Sequence, residues 1–195
     1  PCERIDFLTE LASYRQAFAA MQKSPTVDAA NCFIFGHSMG ALIAFELARC
    51  LREGSNPTPL HLFVSAARAP QLRASRSPLH QLPDDEFICE LRRLNGTPET
   101  LLQNKELLRL LLPSLRADFA LCEAYAHRTE RPLDCPISAY GGRDDLEVRE
   151  AELSAWHDQS CGLFTRQIFP GDHFFLHSAR KPLMHAIGQA LSVLV

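Results

Sequence analysis

The sequence predicts an α/β protein: an open, mostly parallel sheet interrupted by an all-helical segment. Three observations lead there. Short apolar runs alternate with stretches of helical period, which pairs strands in parallel through right-handed crossovers. The rhythm stops between residue 71 and about 131, where only helix-like pieces occur, and then resumes. The first strand runs into the next helix through a tight Gly36-His37-Ser38-Met39-Gly40 turn.

With 195 residues and 46% hydrophobic content, the chain can bury one substantial core. A formal net charge of −3 and a pI near 6.3 give no electrostatic reason to bind nucleic acid or an anionic membrane. No apolar run approaches the roughly 18 to 20 residues of a membrane span, and "PCERIDFLTE" lacks the basic and apolar regions of an export signal. The seven cysteines (Cys2, Cys32, Cys50, Cys89, Cys122, Cys135, Cys161) are scattered, odd in number and mostly inside apolar segments. They read as reduced, buried thiols of a cytoplasmic protein.

In chain order, "ERIDFLTELASYRQAFAAMQ" places Ile5, Leu8, Leu11, Phe18 and Met21, with Tyr14 bridging one gap, on one face of an amphipathic helix. "SPTVDAA" breaks it, and "NCFIF" reads as a strand buried on both faces. "ALIAFELARCLRE" returns to helical spacing and stops at Gly54, a residue suited to a left-handed C-cap. "PLHLFVSA" is a second buried strand. Three helical pieces follow: "PDDEFICELRRLNG", stopped by Asn95-Gly96; "TPETLLQNKELLRLLL", with Thr97 as N-cap and Pro98 at N1; and "PSLRADFALCEAYAH", with Ser114 as a candidate cap. "PISAYGG" before "LEVREAELSAWHDQ" and "FTRQIFPG" before "SARKPLMHAIGQALSVLV" restore the strand-then-helix rhythm. This organisation assigns residues 1–70 and 132–195 to the α/β core and 71–131 to a helical insertion.

Strand, Gly-His-Ser-Met-Gly, helix is the form of a nucleophile elbow, in which glycines on either side of the serine keep strand and helix from colliding. A serine hydroxyl is a weak nucleophile and needs a histidine base, itself oriented by a carboxylate. In α/β-hydrolases these follow in the order Ser, acid, His. "ISAYGGRDDLEV" supplies carboxylates just past one strand and "RQIFPGDHFFLHS" supplies His173 just past the last. His173 outranks the other histidines, which fall within strands, on or near helices or, for His37, beside the nucleophile in a structural place. Asp172 shapes the turn. Asp144 and Asp145 both lie within reach, and the spacing Gly142-x-x-Asp145-x-x-Val148, common at the acid of such hydrolases, favours Asp145.

Four segments, "FGHSMGALIAFELAR", "LFVSAARAP", "LDCPISAYGGRDD" and "FPGDHFFLH", together closely resemble the type II thioesterases that accompany polyketide and nonribosomal peptide synthetases. The likeness extends over nearly the whole chain, including a lid segment "LPDDEF…ELRRLNGTPE". The resemblance implies an α/β-hydrolase fold with residues 71–131 as lid. It also implies hydrolysis of acyl groups held as phosphopantetheine thioesters on acyl or peptidyl carrier proteins. Ser38 would be the nucleophile, His173 the base and then acid, Asp145 its partner, and the Met39 N–H one oxyanion donor. No metal or bound cofactor is needed for this chemistry. Phe87, Leu91, Leu107, Leu108, Leu111 and Phe119 are candidate walls of an acyl pocket.

A general carboxylesterase or lipase, and a truncated, inactive fragment that docks carrier protein, are the alternatives. The resemblance also places several strands and a second oxyanion donor ahead of the first helix, in a part this sequence does not contain. The strand at residues 32–35 is then expected to be an exposed sheet edge, with poor solubility. One missing donor would cost about 2.7–4 kcal/mol of transition-state stabilisation and leave little or no activity.

Overall fold

The computed structural model describes residues 7–23, 31–53, 57–72 and 77–192. Its frame is a four-stranded sheet, β1 (Ile34–His37), β2 (Leu62–Ser65), β3 (Ile137–Gly142) and β4 (Phe164–Phe169), in spatial order β1-β2-β3-β4 with every pairing parallel. Parallel pairing turns the carboxyl ends of all four strands to one edge. The βα loops therefore gather there.

Helices cover both faces because alternate residues of each strand point opposite ways. On one face Leu62, Val64, Ile137 and Ala139 pack with Ala41, Phe45, Leu153 and Trp156. Trp156 is fully buried, its ring lies 5.4 Å from that of Phe45, and its indole N–H donates to the Ala67 carbonyl at 2.8 Å. On the other face Phe63, Tyr140 and Phe169 meet Phe175, Leu183 and Ile187. These partners come from α2 (Met39–Glu53), α6 (Glu150–Ser154) with the 3-10 turn after it (Ala155–Gln159), α7 (Phe175–Ser178) and α8 (Arg180–Ser192).

The first helix, α1 (Phe7–Gln22), docks Leu11 and Phe18 against Leu47 and Leu51 of α2. Tyr14 and Met21, expected on the same face, are exposed, so the buried stripe is narrower than the sequence suggested. Ile5, Gly54 and Cys2 lie outside the described residues. Strand β1 is likewise less buried than expected: Phe33 and Phe35 are exposed, and among the described residues β1 has β2 as its one strand neighbour. A strand covered on one edge and one face cannot bury both rows of side chains.

Between β2 and β3 the described chain carries a 3-10 turn (Leu79–Gln81), α3 (Asp84–Leu94), α4 (Glu99–Gln103) and α5 (Lys105–Ala124), closing on Phe87, Leu91, Leu102, Leu108 and Leu112. Two boundaries differ from expectation. Helix α4 starts at Glu99 with Pro98, not Thr97, as its N-cap. Helix α5 runs straight through Pro113 and Ser114, its start fixed instead by Asn104, whose Oδ1 accepts the N–H groups of Glu106 and Leu107 at 3.2 and 3.1 Å. Proline is tolerated because Arg109 and Pro113 are exposed, and water can reach the carbonyl that lost its donor. The helix expected from Leu146 starts only at Glu150, because Asp145 occupies the backbone N–H groups of Glu147 and Val148.

No helix among the described residues is long and apolar enough to cross a membrane. Among the described residues no cysteine is in a disulfide, and the expectation of buried thiols holds fully for Cys135 alone: Cys32, Cys50 and Cys122 are half-buried, and Cys89 and Cys161 are exposed. Both lie where the chain faces solvent, on the outer side of α3 and in the turn before β4.

The uninterrupted α5 carries a consequence. Interior proline costs about 3 kcal/mol in a helix, of which about 1 is returned through the stiffer unfolded chain. Pro113→Ala is expected to raise stability by about 2 kcal/mol in urea titration. A helix broken at residue 113 would show no gain.

Candidate active site

The loops at the carboxyl edge bring three side chains together. Ser38 follows β1 with φ 53°, in the left-handed region that a serine rarely occupies. Its N–H donates to the Ser65 carbonyl at 2.8 Å, anchoring the turn to the neighbouring strand end. A Cβ on Gly36 would stand 2.1 Å from the Gly40 carbonyl oxygen, so this position must be glycine. The expectation for Gly40 is corrected: a Cβ there meets nothing within 4 Å, because it would point into a cavity rather than at the strand.

The loops after β3 and β4 are tied to each other. Asp144 N–H donates to the Gly171 carbonyl at 2.9 Å, and a Cβ on Gly142 would be 2.1 Å from the Asp172 carbonyl oxygen. This contact sets Asp145 beside His173. His173 Nδ1 lies 2.9 Å from Asp145 Oδ2 and Nε2 lies 3.0 Å from Ser38 Oγ. An ionised carboxylate only accepts, so the proton sits on Nδ1 and Nε2 is free to accept the serine hydroxyl. The Asp145 side chain is wholly buried, and its Oδ1 accepts the N–H groups of Glu147 at 2.8 Å and Val148 at 3.2 Å. Asp144 is exposed and does not meet the histidine.

His37 sits behind this row. Its Nδ1 lies 3.0 Å from Ser65 Oγ, its ring is 5.4 Å from that of His173, and its Nε2 is buried without a hydrogen-bond partner. Burial, with His173 nearby, lowers its pKa to about 4, so it is neutral at pH 7. Asp172 shapes the turn, its Oδ1 accepting Phe174 N–H at 2.9 Å. Met39 opens α2, where the first N–H groups of the helix have no partner within it.

Ser38, Met39 and His173 line a cavity of about 520 Å³ whose other walls include Leu79, Leu94, Leu115, Val148 and Phe174. Of the six pocket residues read from the sequence, Leu91 and Phe119 line it. Phe87 and Leu108 fill the interior of the helical segment, and Leu107 and Leu111 face solvent. Helical period marks an apolar face without saying which neighbour it meets. Glu147 and Phe174 at the cavity were not singled out by sequence, since nothing in their spacing distinguishes them from loop residues.

Residues 5–191 match the family model described as Thioesterase domain. The gramicidin S biosynthesis protein GrsT of Aneurinibacillus migulanus is 44% identical over 176 residues, covering 90% of this chain and 68% of GrsT. The thioesterase PikA5 of Streptomyces venezuelae is 42% identical over 159 residues, covering 82% of this chain and 56% of PikA5. The chain thus spans between 56% and 68% of the length of these two relatives. Among solved structures, the type II thioesterase BorB from the borrelidin biosynthetic cluster superposes with a TM-score of 0.81 at 35% identity, covering 94% of this chain and 72% of BorB.

The two elbow glycines separate in a stability measurement. Gly36→Ala is expected to cost at least about 3 kcal/mol by forcing strand and helix apart. Gly40→Ala is expected to gain about 0.5–1 kcal/mol, because alanine replaces glycine in a helix with open space for its methyl. Equal effects in urea titration would contradict this geometry.

The buried imidazoles give a pH dependence. His61, like His37, is held down to about 4 by burial against an ordinary value of 6.5. The unfolded chain takes up these protons near pH 6.5 and the folded chain only near 4, so their contribution is full above 6.5 and lost as pH falls toward 4. The urea midpoint is expected to drop across that window. His61→Gln should flatten the drop; an unchanged slope would count against it.

Proposed function

The chain belongs to the thioesterase domain family, and on that premise we propose that it hydrolyses acyl groups from the phosphopantetheine thioester of acyl or peptidyl carrier proteins. The observation that carries this reading is the row Asp145–His173–Ser38, bonded end to end at the wall of a largely apolar cavity.

In this reading Ser38 Oγ attacks the thioester carbonyl as its proton passes to His173 Nε2. The imidazolium so formed is stabilised by Asp145, which also keeps the proton of the resting ring on Nδ1. The Met39 N–H, at the head of α2, donates to the developing oxyanion. The tetrahedral intermediate collapses, the C–S bond breaks, and the pantetheine sulfur leaves with the proton from His173. Water then enters, gives a proton to His173 and attacks the acyl-serine carbonyl, releasing the free acid and restoring Ser38. A thiolate is a good leaving group, so oxyanion stabilisation and water access carry the burden. Nucleophile, base and orienting acid all come from the chain itself, so the chemistry calls on no metal or resident cofactor; the pantetheine arm arrives with the partner.

The helical segment, residues 71–131, is the lid over this cavity and the α/β core, residues 1–70 and 132–195, its base. Leu91, Leu115 and Phe119 face the acyl chain. The absence of disulfides among the described cysteines and the biosynthetic relatives support action in the cytoplasm.

Ser38→Ala is expected to abolish the acyl-enzyme seen by mass spectrometry while the fold survives. An adduct on the alanine variant would overturn the assignment. Asp145→Asn should cut turnover of an acyl-carrier protein by about 10⁴-fold, as loss of an orienting aspartate does elsewhere, and Asp144→Asn should have little effect. Preference for acyl-carrier protein over a simple ester of the same acyl group separates a thioesterase from a general esterase.

A further inference from the structure

Three neighbouring residues at the end of α3 touch both loops that carry the acid and the base. Asn95, left-handed at φ 56° as the C-cap of α3, donates from Nδ2 to Asp172 Oδ2 at 2.8 Å. Asp172 in turn fixes the backbone of the base loop through the Phe174 N–H, one residue either side of His173. Arg93 bonds through Nη2 to the Glu147 carboxylate, and the Glu147 backbone N–H is a donor to Asp145. Gly96 lies flat on Phe174: a Cβ there would be 2.2 Å from the ring, which itself packs against His37 and His173 with centroids 5.4 and 5.2 Å away.

We propose that Arg93 and Asn95 are positioning residues that hold the base loop and the acid loop in register, so that seating of the helical segment and assembly of the Ser38–His173–Asp145 row are one event. The inference rests on the catalytic reading of that row. Exposed hydrogen bonds and ion pairs add little to fold stability, so these contacts would be poorly explained as structural reinforcement. Proton transfer is far more demanding, since small misplacements of a catalytic group can cost up to about a hundredfold in rate. The arrangement also gives the chain a means of coupling occupancy of the cavity to readiness for chemistry, because Gly96, Glu147 and Phe174 all line it.

The test is an exchange of partners in the full chain. Asn95→Asp sets two carboxylates against each other while leaving a side chain that tolerates the left-handed backbone. Adding Asp172→Asn restores a donor and an acceptor across the gap and keeps an oxygen for the Phe174 N–H. With an acyl N-acetylcysteamine thioester, N95D is expected to lower kcat by about tenfold with KM and the thermal midpoint nearly unchanged. The double variant should return kcat to within about threefold of the parent. The downfield proton resonance of His173 Nδ1–H, bonded to Asp145, should broaden in N95D and sharpen again in the double variant. Should N95D fail to fold, Asn95→Gly, which suits the same backbone, is expected to show the same loss of kcat. A parent-like kcat and resonance in N95D, or a folded double variant no better than N95D, would overturn the proposal. If the parent hydrolyses no thioester while the resonance still broadens in N95D and sharpens in the double variant, the catalytic reading falls and the positioning of the His173–Asp145 pair stands.

Discussion

The active end of the molecule depends on one close approach, that of α2 to β1 at Gly36, where no side chain can stand between the Gly40 carbonyl and the strand. The approach forces Ser38 into a left-handed turn, a conformation that costs roughly 1–2 kcal/mol in an L-residue. The hydrogen bond from Ser38 to Ser65 and the burial of Ala41 and Phe45 against the sheet offset that cost. The same strain lifts the hydroxyl clear of the sheet edge and points the head of α2 at the cavity. Local destabilisation and chemical exposure are therefore one arrangement.

Two histidines lie within a few ångströms of Ser38, and the surroundings give them different work. His173 has a buried carboxylate on one nitrogen and the serine on the other. His37 has a serine hydroxyl on one nitrogen, no partner on the other, and an imidazole neighbour that opposes its protonation. In the proposed mechanism, a neutral His37 presents no competing positive charge when the His173 ring takes up a proton. Placement next to Ser38 in the chain is thus separate from membership of the hydrogen-bonded row.

Much of this was legible in the sequence because strongly local rules apply to it. Strand-then-helix rhythm yielded four parallel strands, and each member of the Ser38, Asp145, His173 row was found by its place just past a strand end. The choice between Asp144 and Asp145 rested on spacing; in the structure, the Gly142 contact and the turn through Val148 bring Asp145, not Asp144, inward. What could not be read depends on tertiary neighbours. Exposure of Phe33 and Phe35 reflects what covers β1, and the continuity of α5 through Pro113 reflects solvent access at that turn. Asn95 was visible as a helix stop, but its bond to Asp172 joins residues 77 apart in the chain, which no local pattern records.

Trp156 is the single tryptophan of the sequence, fully buried in the α/β core with its N–H on the carbonyl of Ala67, a residue that lines the cavity. Its intrinsic fluorescence therefore comes from one known place. Emission from an indole shielded from water is blue-shifted and moves to the red on exposure, so the natural chromophore reports opening of the core without any label. The helical segment over the cavity carries no tryptophan. Its displacement alone would leave the tryptophan spectrum quiet, and a fluorescence transition can be assigned to the sheet and its covering helices.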